Sequence, residues 1–128
     1  MKLGLQIMLG ILSLIPVFFA ILGLVQGAGY HMPEGGFVAA LDNQYRYNSG
    51  TYILVSLILW YCIPSVEKHF KLLAMVCAAL FIGGIGRLIS YMVIGPGIDQ
   101  QFAGMILELG SPIFLLWQMA VARKANAA

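Results

Sequence analysis

Four long apolar runs, Leu3 to Val25, Tyr47 to Val66, Leu72 to Ile98 and Gln100 to Ala122, leave little of this chain for anything else. A hydrocarbon core of ~30 Å is crossed by about 20 helical residues rising 1.5 Å each, and every run is long enough to do so. A water-soluble domain carries about a quarter charged residues. Here 9% of the residues are charged and 61% are apolar. The expected fold is therefore all-α: one integral membrane four-helix bundle occupying residues 1–128, with spans at about 3–25, 47–66, 72–94 and 102–122. The first run resembles a secretion signal behind Lys2, but its apolar stretch exceeds the usual 7–15 residues and no A-x-A site follows, so it reads as a retained span.

Lysine and arginine near span ends stay on the cytoplasmic side. Lys2, Lys68, Lys71, Arg123 and Lys124 all fall on one side of the four spans, against Arg46 on the other, together with Glu34, Asp42 and Asp99. This places both termini in the cytoplasm, with the first loop and the Gly95-Pro96-Gly97 turn facing outward. The loop from Gln26 to about Gly36 is rich in Gly and should be irregular, and Phe37 to Leu41 should form a short interfacial segment leading into the second span. Tyr45, Tyr47 and Tyr52 then serve as aromatic anchors at the outer headgroups. Sparse positive charge argues against a nucleic-acid partner. Cys62 and Cys77, each inside an apolar run, read as ordinary buried thiols.

Arg87 and Glu108 lie inside spans, where an isolated charge costs at least ~2.5 kcal/mol. Counted from the outer ends of their helices, both lie roughly 9–10 Å deep on antiparallel neighbours, which predicts an ion pair. Arg87 shares a helix face with Gly84 and Tyr91, and Glu108 shares one with Gly104 and Ser111. On the second span Asp42 and Arg46 stand one turn apart on a face that continues through Ser49, with Tyr45 beside them. These stripes predict a polar cavity in the outer half of the bundle, lined by Asp42, Tyr45, Arg46, Ser49, Arg87, Tyr91, Glu108 and Ser111. Arg46 is expected to be the arginine free to meet a ligand, since Glu108 neutralises Arg87. The plainer alternative makes Arg87 and Glu108 a clasp holding two helices in register.

In the third span Ala79, Gly83, Gly86 and Ser90 recur at helical spacing, a small-residue face suited to close helix contact in lipid. Pro16 and Pro112 should kink spans one and four. His31, Glu34 and Asp42 lack the spacing of a metal site, and neither a nucleophile paired with a base nor a pair of catalytic carboxylates is visible.

The run Asp42-Asn43-x-Tyr45-Arg46-Tyr47-x-Ser49-Gly50, then Trp60 and Pro64-x-x-Glu67, then Gly83-Gly84-Ile85-Gly86-Arg87-Leu88-Ile89-Ser90, resembles the uncharacterised bacterial membrane family known as domain of unknown function 4345. Leu107-Glu108-Leu109, Pro112 and Trp117-Gln118 fit it as well. The resemblance implies a four-helix membrane bundle similar in outline to DoxX-like proteins. By that analogy the ligand would be a quinone or a lipid, although the paired cysteines of a thiol-oxidising enzyme are absent. The expected function is a membrane protein that binds a lipid, quinone or other amphiphile, or acts as an accessory subunit to a membrane partner or a second copy. The alternative is a small proton-coupled multidrug-type transporter. Against it stand a first span without an acid and a strong charge bias.

Overall fold

The computed structural model describes residues 1–127. Helix α1 runs from Lys2 to Gln26 and ends in a 3₁₀ turn at Gly27–Tyr30. Helix α2 spans Ala39–Cys62 and passes into a second 3₁₀ segment, Ile63–Lys68, which breaks at Ser65 (φ −133°, ψ 51°). Helix α3 covers Phe70–Val93, α4 covers Asp99–Leu109 and α5 covers Pro112–Ala127. No strand occurs among the described residues. Four helical stretches are long and apolar enough to cross a membrane: Lys2–Tyr30, Ala39–Lys68, Phe70–Val93 and Asp99–Ala127.

The expected interfacial segment before the second span is no separate element. Val38 is extended, and from Ala39 the helix is continuous, so Asp42, Tyr45 and Arg46 ride on its first two turns. The two prolines behave differently. Pro16 lies within an unbroken α1, where the hydroxyl of Ser56 donates to the Ser13 carbonyl three residues earlier. Near Pro112 the fourth span divides: α4 ends at Leu109, Gly110 and Ser111 form a turn, and Pro112 opens α5. Proline suits that first helical position because its missing N–H would have had no partner there.

The chain forms two compact units, Ile7–Ile63 and the combination of Met1–Gln6 with Pro64–Ala128. In the first unit, α1 carries two contrasting faces. Leu9, Ser13, Pro16, Ala20 and Gly23 are buried, whereas Ile7, Ile11, Leu14, Phe18 and Ile21 are exposed. Apart from Leu9, small residues lie inside and large apolar ones outside, which reverses the order of a soluble helix. That arrangement suits lipid, where burying an apolar side chain gains nothing and close backbone approach gains dispersion contact. At Gly23 a β-carbon would collide with the Ser49 hydroxyl. The buried hydroxyls are all used: Trp60 Nε1 donates to Ser13 Oγ at 2.8 Å, and Ser13 Oγ donates to the Gly10 carbonyl.

In the second unit α3 packs along α4 and α5. Gly84 is the contact glycine, since a β-carbon there would lie 3.0 Å from Glu108 Cβ and from Leu109 Cγ. The stripe expected to pack, Ala79, Gly83, Gly86 and Ser90, is exposed instead, and β-carbons added at Gly83 and Gly86 would meet nothing within 4 Å. Gly84 lies one position away, on the next face of the helix, and it is that face which turns toward α4. Ser111 Oγ donates to the Cys77 carbonyl at 3.1 Å, closing the α4–α5 turn against α3. Gln118 is buried and donates from Nε2 to the carbonyls of Val66 and Glu67, which caps the 3₁₀ segment, and Lys2 pairs with Glu67 at 3.0 Å.

Candidate functional site

The predicted site residues fall into two constellations, one in each unit. The first forms where α1 ends and α2 begins. Asp42 Oδ1 accepts the Ala28 N–H at 2.9 Å, and its Oδ2 accepts Arg46 Nε at 2.8 Å. From there Arg46 Nη1 donates to the carbonyls of Leu24 and Val25. The last carbonyls of a helix have no partner within it. Arg46 supplies a donor and a positive charge at the end where the helix dipole is negative. Gly27 makes the closure possible: it adopts φ +60°, and a β-carbon there would overlap Asp42 Oδ1 and the Arg46 guanidinium. Tyr45 Oη stands 2.7 Å from His31 Nε2. Ser49 fits against Gly23. All four predicted residues of this set are thus joined to the loop or to α1.

The second constellation lies between α3 and α4. Arg87 Nε donates to Glu108 Oε2 at 2.9 Å. Two glycines seat the pair reciprocally: Gly84 of α3 lies against the Glu108 stem, and a β-carbon added at Gly104 of α4 would lie about 4 Å from the Arg87 guanidinium. Each glycine is on the same face as the charge of its own helix, so four residues from two faces interlock. The side chains differ in exposure, 42% for Arg87 and 12% for Glu108. Glu108 is sheltered, and Arg87 reaches past it. Its Nη nitrogens have no hydrogen-bond partner among the described residues.

Arg87 borders an open cleft of about 510 Å³ at the end of the α3–α4 hairpin. Arg87, Ser90 and Tyr91 come from α3, the Gly95-Pro96-Gly97 turn closes the end, and Asp99, Gln101, Phe102 and Met105 come from α4. Gly95 turns the chain at φ +117°, which a residue with a side chain rarely adopts. Gln101 Oε1 accepts the Ile98 N–H at 3.3 Å and so caps the start of α4. Tyr91 and Phe102 face one another with ring centroids 6.0 Å apart.

Of the predicted ligand residues, Arg87 and Tyr91 line this cleft, Glu108 stands behind Arg87, and Ser111 is spent on the Cys77 carbonyl. Arg46 was expected to be the freer arginine, but it commits Nε to Asp42 and Nη1 to backbone carbonyls that residue counting cannot locate, whereas Arg87 commits only Nε. Asp99, which the sequence marks only as an outer charge, lines the same cleft as Arg87. The available signal was its place two residues after Gly97, at the first turn of a helix antiparallel to that of Arg87. No group of three metal-ligating side chains occurs among the described residues.

The sequence pattern of one family, described as Domain of unknown function (DUF4345), matches residues 4–119. No curated protein and no solved structure matches the chain.

Proposed function

The chain belongs to the family of the domain of unknown function DUF4345, and from that premise we propose that it is a membrane-embedded binding or accessory protein whose α3–α4 cleft receives the polar head of an amphiphile, a lipid or a quinone. The observation that carries this reading is the half-used guanidinium of Arg87, a residue that lines the cleft and is tied to Glu108 through Nε alone. An arginine kept in a span solely as a clasp would be expected to give both edges of its fork to its carboxylate, as bidentate pairs do. Ionisable groups within spans mark ligand pathways by default. Apolar walls from Ile94, Ile98, Phe102 and Met105 suit the first methylenes of an acyl or isoprenoid chain.

The charge bias supports an orientation with both termini in the cytoplasm of a bacterial inner membrane and the cleft toward the outer leaflet. Alkaline phosphatase fused to the C-terminus should be inactive in that case; an active fusion reverses the orientation. Proton-coupled transport has less support, because a carrier carboxylate must exchange its proton for substrate and the acids within the second span and deep in the fourth are already committed: Asp42 to Arg46 and Ala28, Glu67 to Lys2, Glu108 to Arg87.

The test is native mass spectrometry of protein extracted in mild detergent, comparing the parent with Arg87→Gln. A co-purifying amphiphile retained by the parent and depleted in the variant supports the reading. Equal retention leaves Arg87 and Glu108 as a packing clasp.

A further inference from the structure

Resting on the cleft as a head-group site, we infer that its ligand is a phospholipid carrying a primary amine, with the phosphate at Arg87 and the ammonium at Asp99. The cleft is lined by two charges of opposite sign, one from each helix of the hairpin. Arg87 offers Nη donors that no described residue takes, and the Asp99 carboxylate has no hydrogen bond or ion pair among the described residues. Glu108 does not line the cleft, yet it offsets the charge of Arg87.

These facts discriminate among head groups. Next to a neutralised guanidinium, a purely anionic head group would meet the unopposed carboxylate of Asp99. A quinone would offer carbonyls to Arg87 and leave Asp99 without a counter-charge. A simple cation would satisfy Asp99 and strand the Arg87 donors. One molecule holding a phosphate and an ammonium a few bonds apart answers both, and charge-assisted hydrogen bonds are the stronger kind at each end. A quaternary amine has no N–H for a carboxylate and is recognised instead by an open aromatic cage. Tyr91 and Phe102 stand against one another rather than apart, so they make a wall for glycerol and acyl methylenes.

The test offers the purified protein mixed micelles containing equal amounts of phosphatidylethanolamine, phosphatidylcholine and phosphatidylglycerol, and counts bound lipid by native mass spectrometry. The parent should retain phosphatidylethanolamine about two- to fivefold over either of the others, the discrimination one partly exposed ion pair provides. Asp99→Asn, an exposed change that keeps a helix-initiating residue, should lower phosphatidylethanolamine to the level of phosphatidylcholine while phosphatidylcholine is still retained. Arg87→Gln should lower all three. Glycerophosphoethanolamine has the same head group without acyl chains. Its failure to displace the lipid at equal concentration supports a membrane source, and displacement overturns it. Lipid bound without preference for the amine, or a preference unchanged in Asp99→Asn, overturns this inference alone. No lipid bound above the Arg87→Gln background overturns the head-group reading on which it rests.

Discussion

Asp42 with Arg46, and Glu108 with Arg87, are the same chemistry put to different ends. In both, an arginine Nε meets one carboxylate oxygen, at 2.8 Å and 2.9 Å. In the first pair the second carboxylate oxygen takes a backbone N–H and the arginine proceeds to two helix carbonyls, so the whole assembly closes a chain reversal. In the second pair the carboxylate is sheltered by a glycine of the neighbouring helix, and the arginine ends in a cleft with donors unused. A charge that satisfies backbone is a structural element. A charge that satisfies only another side chain keeps capacity for a ligand.

Breaking the first pair should have the largest effect. Asp42→Ala removes acceptors from both Ala28 and Arg46 at once and should lower the unfolding midpoint further than any other change below, since it leaves a backbone N–H and a guanidinium without partners at the chain reversal. Thermal unfolding in detergent measures this. Adding Arg46→Ala should recover nothing, because the Ala28 N–H and the α1 carbonyls remain without partners. Recovery would make the knot no more than an ion pair.

Gly84→Leu comes next. A side chain there must displace Glu108 and Leu109, and overpacking of this kind costs about 2 kcal/mol. Glu108→Gln follows at about 1–2 kcal/mol, reduced because Arg87 is partly exposed. Here the double change with Arg87→Leu should recover part of the loss, in contrast to the first pair; simple additivity of the two single changes would show the residues to be uncoupled. The smallest effect has the opposite sign. Gly83→Ala places a methyl in open space and should raise stability by up to about 1 kcal/mol through helix propensity. A clear loss at Gly83 would show that the exposed face of α3 is covered by something the single chain does not provide.

The pairing of Arg87 with Glu108 was legible because it follows from arithmetic along two antiparallel helices joined by a short turn. Helix faces were legible only in part. The small-residue spacing in α3 suggested Ala79, Gly83, Gly86 and Ser90 as the contact face, but Gly84 makes the contact, and a run of adjacent glycines does not reveal which of them faces a neighbour. On α1 the buried stripe of Ser13, Pro16, Ala20 and Gly23 is not legible in the sequence, because within so apolar a span a single serine looks incidental until Trp60 and Ser56 are seen to bind Ser13. Gln118 was hidden for a similar reason: its partners are backbone carbonyls more than fifty positions away, and side-chain patterns carry no trace of them.

By itself the sequence determined the helices and their capacity to cross a membrane, since hydropathy and run length are local quantities set by the cost of bringing backbone and charge into hydrocarbon. It also determined that Arg87 required a partner. Only the tertiary structure decided which donors remained after partners were found. Arg46 gave its Nη1 to carbonyls brought close by the reversal at Gly27, and Arg87 kept both Nη nitrogens because Gly84 and Gly104 let the helices approach at the Glu108 side and leave the hairpin end open. Hydrogen-bonding capacity is written in each residue, but what is left of it depends on every group that folding places within reach.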